Sequence, residues 1–130
     1  MRNQGRLLIG GVALACCVGT IIPAEAGSAR ELRVHAAVGQ SVRVWGDVYF
    51  HDHCSVVLET NVTVTQAPAH GTLSIRDEIV KQRRPDFGPC KDNSGMGKVV
   101  YYMRTSPGVD HFKYTSSSGV GAADRDVTVH

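Results

Sequence analysis

The chain has 130 residues, a formal net charge of +2, 42% apolar and 6% aromatic residues. A charge so near zero is no electrostatic footprint for nucleic acid, whose binding needs a concentrated basic face. The length allows one small core and not two.

The first segment, MRNQGRLLIGGVALACCVGTIIPAEAGSAR, has the layout of an export leader. Arg2 and Arg6 precede an apolar run from Leu7 to Ile22, Pro23 ends it, and Ala24 and Ala26 supply the small residues a signal peptidase reads. The run falls short of the roughly 20 residues that span a bilayer. A signal peptide over 1–26 is therefore expected, with a single domain over 27–130 and no membrane span after cleavage. Lipid attachment at Cys16 or Cys17 is the weaker alternative, because Ala13 stands where a larger aliphatic residue is usual. Cleavage removes Arg2, Arg6 and Glu25, which takes the charge from +2 to +1. It also leaves two cysteines, Cys54 and Cys90, and an even count in an exported chain reads as a disulfide. Closing a loop of about 37 residues stabilises by roughly 4 kcal/mol in the chain-entropy model.

Period-two alternation dominates the rest. LRVHAAV (Leu32 to Val38) alternates weakly. SVRVWGDVYF (Ser41 to Phe50) sets Val42, Val44, Gly46, Val48 and Phe50 on one face, and Arg43, Trp45, Asp47 and Tyr49 on the other. The β-branched run through Val62 and Val64 predicts another strand. APAHG follows as a turn, in which Pro68 fixes φ and Gly71 admits a positive φ. TLSI resumes the strand pattern. From Arg76 to Lys98 alternation fails, and two prolines with three glycines predict a long irregular connection stapled by Cys90, with a helical turn or a short strand around Asp77 to Lys81 as the alternative there. Its basic KQRR stretch (Lys81 to Arg84) reads as a solvated loop. Strands are expected again over KVVYYM, DHFKYTSS and DRDVTVH, with Phe112 and Tyr114 on one side and Val127 and Val129 inward. No stretch keeps helical periodicity over three turns. The expected fold is all-β, an antiparallel sandwich of about seven strands, with a barrel as the second choice.

Several of these stretches resemble the cadherin-like, immunoglobulin-like β-sandwich modules of bacterial secreted and surface proteins. The shared pattern is a Pro-x-x-Gly-Thr turn (Pro68, Gly71, Thr72), a Tyr-containing strand (Tyr102), a Pro/Gly turn (Pro107, Gly108), then Asp110, Phe112 and Tyr114 and a terminal Val/Thr strand. It covers roughly Glu59 to His130. The resemblance implies a binding, adhesive or structural role, usually in tandem repeats. This chain carries one copy, adds a Cys pair and lacks the acidic clusters by which eukaryotic cadherins hold calcium. Each motif residue has a structural task. Gly108 suits a positive φ, Asp110 can accept backbone N–H bonds at a strand entrance, and Tyr114 can bury its ring while its hydroxyl finds a backbone partner.

HDHC, His51 to Cys54, is the one stretch with metal-ligand chemistry. On a strand, His51 and His53 would project from one face. The preferred reading commits Cys54 to Cys90 and leaves the imidazoles solvated, with a periplasmic metal-binding protein using His51 and His53 as the alternative. SGMGK is no phosphate loop, because a strand follows it and Val99 replaces the Ser or Thr. No nucleophile elbow occurs. The expectation is an exported, non-enzymatic module without a cofactor. It would bind an envelope protein or glycan, or serve structurally, with Trp45 and Tyr49 as an exposed contact face.

Overall fold

The computed structural model describes residues 29–83 and 85–130. The expected leader, with Cys16 and Cys17, lies outside the described residues. Seven strands form: β1 (Arg30–Val34), β2 (Ser41–Asp47), β3 (Asn61–Gln66), β4 (Gly71–Lys81), β5 (Ser94–Arg104), β6 (Asp110–Ser118) and β7 (Gly121–Val129). A short 3₁₀ segment, Pro85–Cys90, lies between β4 and β5. The strands make two sheets, ordered β1-β7-β6-β3 and β2-β5-β4. This is the expected all-β sandwich. It departs from a purely antiparallel one at β1, which pairs with β7 in parallel.

Alternation fixes the main core. On β6 and β7, Phe112, Tyr114, Val127 and Val129 point inward and are almost wholly buried. They meet Val100 and Tyr102 of β5, together with Val44 and Ala36. The rings of Tyr102 and Phe112 lie nearly parallel with centroids 5.8 Å apart, within the range of favourable aromatic pairs.

A polar knot closes one end of this core. The buried Asp110 carboxylate accepts four hydrogen bonds. Its Oδ1 takes the N–H groups of Ala69 (2.8 Å) and His111 (2.9 Å). Its Oδ2 takes the N–H of His70 and the Tyr102 hydroxyl, each at 2.8 Å. Burial pushes this carboxyl's pKa up, but the bonds from Tyr102 and the three backbone groups prevail and hold it below the ordinary range. Burial, and then the bond to Asp110, push the Tyr102 phenol up to about 12. Gly108 has φ +117, as its turn position predicts. Buried Arg104 braces that turn, its Nε donating to Ala36 O at 2.6 Å and its Nη1 to Gly108 O. Gly71 has no positive φ. A Cβ there would collide with the Tyr102 ring and Met103 O, so the glycine is set by close approach. The Tyr114 hydroxyl finds no backbone partner. It is buried beside Arg125, and burial with the nearby Asp47 charge raises its pKa.

The expected irregular stretch from Arg76 to Lys98 is mostly strand. β4 and β5 continue through Arg76–Lys81 and Ser94–Lys98 as one long hairpin. The sequence conceals this because Gly95 and Gly97 sit under a covering segment. A Cβ on Gly95 would strike Val56, and one on Gly97 would strike Asp47 O. The cover lies on the face of sheet β2-β5-β4 turned away from the main core. There Val48, Phe50, Val80, Cys90 and Val99 form a second small core. Cys54 and Cys90 are joined, with Cα atoms 5.2 Å apart, and this bond pins the cover to the loop after β4.

Candidate functional site

A bulge in β2 builds the main concavity. Register shifts between Arg43 and Trp45, which reverses the expected alternation. Val44 is buried in the main core, while Trp45 and Asp47 share the face of their partners Val100 and Lys98 and look toward the other sheet. On that sheet the inward side chains of β7 change from Val129 and Val127 to Arg125 and Ala123. Opposite them on β6 stand Tyr114 and Ser116. The apolar filling stops there and the sheets part. At the boundary Arg125 Nη2 donates to Asp47 Oδ1 at 2.5 Å, with side-chain exposures of only 4% and 11%.

Beyond this ion pair lies a groove of about 1140 Å³, above the roughly 300–1,000 Å³ of ordinary small-molecule pockets. Its aromatic floor is half-buried Trp45. The Arg30 guanidinium carbon stands 4.3 Å from the indole centroid and that of Arg125 5.6 Å, both within cation–π range. Arg30 and Arg125 are also register partners on β1 and β7. Like charges opposite each other repel, and Asp47 offsets only one of them. Arg43, Lys81 and Arg83 also border it, so among the described residues the lining holds five cations and the carboxylates of Asp47 and Asp52. Residues 27–130 carry only +1 in total, so the chain outside the groove is net negative.

The expected contact face needs correction. Tyr49 is not exposed: the chain turns inward after β2, Tyr49 is 8% exposed, and its hydroxyl donates to Ser116 O at 3.0 Å. Trp45 does border the groove but lies beneath Arg30. His51 and His53 do not share a strand face either. Cys54 N–H donates to His51 O at 2.8 Å, and His51 N–H donates to Ser55 O at 2.8 Å. Cys54 has φ 60, so HDHC is a tight turn, and both histidines are exposed at the groove mouth. The i, i+2 geometry argued for metal binding is therefore missing. Among the described residues no three His, Cys, Asp or Glu side chains come together as a metal-binding set.

His70 Nδ1 and Ser106 Oγ lie 2.9 Å apart, the nearest approach to a nucleophile and base. The adjacent carboxylate, Asp110, binds the His70 backbone N–H and not the imidazole. It does not orient that ring as an acyl-transfer triad requires. The pair ties the turn after β5 to the turn before β4.

The inward cations were missed in the sequence although a signal was present. Arg125 has the same parity as Val127 and Val129, and Arg30 that of Leu32 and Val34. A charge at a core-facing position marks either an ion pair or a ligand seat. Comparison with known families, with characterised proteins and with solved structures gives no match.

Proposed function

We propose that this chain is an exported, non-enzymatic β-sandwich module that binds an anionic polysaccharide of the cell envelope in the groove between its sheets. The observation that carries the reading is the concentration of charge. Five cations, one of them paired with Asp47, line the groove of a domain that is otherwise net negative. Arg30 is stacked on an indole, which presents its guanidinium edge to an incoming carboxylate. The volume and open shape favour a chain-like ligand over a small metabolite. Export is supported by the leader pattern and by a disulfide, which persists in oxidising compartments.

The test is calorimetric titration of the periplasmically purified chain with polygalacturonate, using dextran as the neutral control. Binding should be confined to the acidic polymer and weaken steeply with salt, because several ionic contacts are screened together. Arg43→Ala and Arg30→Ala should each reduce affinity by several-fold. Salt-independent binding, equal binding of dextran, or binding of poly-glutamate without polygalacturonate would overturn the glycan assignment.

A further inference from the structure

We propose that β4 is a self-pairing edge, along which two copies of this chain join their three-stranded sheets into one continuous sheet. β4 ends the order β2-β5-β4 and is hydrogen-bonded to β5 on one side over its whole length. Among the described residues no strand pairs with its other side. An edge this long is a template for another strand. The side chains along it are also unusual for a solvated rim, since Ile75 and Ile79 are 43% and 65% exposed.

One antiparallel register satisfies this edge with a copy of itself. A two-fold axis normal to the sheet pairs residues that share a face, and centring it on Asp77 fixes every other pair. Arg76 then stands opposite the second copy's Glu78, and Glu78 opposite the second copy's Arg76. On the other face Ile75 meets the second copy's Ile79, and the reverse. Opposite charges and paired apolar side chains directly across a ladder are both stabilising. The two central Asp77 carboxylates are each held by Lys98 Nζ of their own chain at 2.5 Å, which offsets their repulsion. Arg76 is already positioned over the Tyr101 ring at 4.3 Å. Sliding two residues one way sets Arg76 against Arg76, and the other way sets Glu78 against Glu78. In both cases an isoleucine faces Asp77. The charges that block indiscriminate pairing at this edge thus select a single register.

Sedimentation equilibrium on the periplasmically purified chain tests the proposal, without any groove ligand. The wild type should show a reversible monomer–dimer equilibrium. Arg76→Glu and Glu78→Arg should each weaken it about ten-fold, since the symmetry replaces two attractive pairs with two repulsive ones. The double variant Arg76→Glu/Glu78→Arg should restore wild-type association, with thermal unfolding used to confirm that each variant is folded. A wild type that stays monomeric at its solubility limit would overturn the proposal. So would single variants that associate normally, or a double variant weaker than both singles. Polygalacturonate binding by an unassociated variant would separate a failure here from a failure of the groove assignment.

Discussion

Replacing Asp110 with Ala should destabilise this domain severely. The carboxylate is 1% exposed and holds four donors at 2.8–2.9 Å. Hydrogen bonds to a charged group contribute about 1.5–3 kcal/mol each when taken singly, but four on one carboxylate are not additive. Truncation also strands the Tyr102 hydroxyl and three backbone N–H groups, some within reach of water. A loss of about 4 kcal/mol is expected, comparable to breaking a buried ion pair. For a domain of about this size it lowers the melting temperature by roughly 15–30 °C. Asp110→Asn should cost about half as much, because its amide NH₂ can donate to the Tyr102 oxygen but must face the His70 N–H. Urea titrations at neutral pH, followed by tryptophan fluorescence and circular dichroism, measure both. A loss below about 1 kcal/mol for the Ala variant would refute the reasoning, and so would an Asn variant less stable than the Ala variant.

Acid should expose the same carboxylate. Its folded pKa is depressed, so its contribution is complete above the unfolded value of about 3.9 and is lost as pH falls through the folded one. Below about pH 4 the wild type should therefore lose urea resistance more steeply than Asp110→Asn, and parallel curves would contradict this. Reducing Cys54–Cys90 should cost about 4 kcal/mol, and hydrogen exchange should accelerate in Val48–Val57 before it does in β6 and β7. Gly71→Ala should cost about 2 kcal/mol through overpacking against Tyr102, measured by thermal melts. Trp45→Ala should weaken polygalacturonate binding through loss of the Arg30 platform, as read by the same calorimetry.

The sequence was most informative where one rule acted alone. Strict alternation located β6 and β7 and set Phe112, Tyr114, Val127 and Val129 inward, and the lone cysteine pair left one bridge to draw. It was misleading where two demands met in one residue. Gly95 and Gly97 read as turn signals because a strand glycine normally weakens a strand, yet here they admit the Val48–Val57 cover. In β2 an extra residue at Val44 shifted every later side chain, so Tyr49 came out buried. HDHC lost its strand geometry to a left-handed Cys54 that no local pattern announces. The groove was legible in principle, as arginines at core-facing parity. Their meaning depended on which strands become neighbours, and the parallel β1–β7 contact joins segments far apart in the chain.

That contact also constrains the order of assembly. Among the described residues β1 is hydrogen-bonded to β7 alone, so it has no ladder partner there until Gly121–Val129 has emerged. Arg30 cannot settle on Trp45 beside Arg125 before then. Sequence-distant pairings of this kind slow folding, because loop-closure entropy is lost before any contact compensates. The β1–β7 pairing and the groove it borders should therefore close late, whereas β2, β5 and β4 can pair without them.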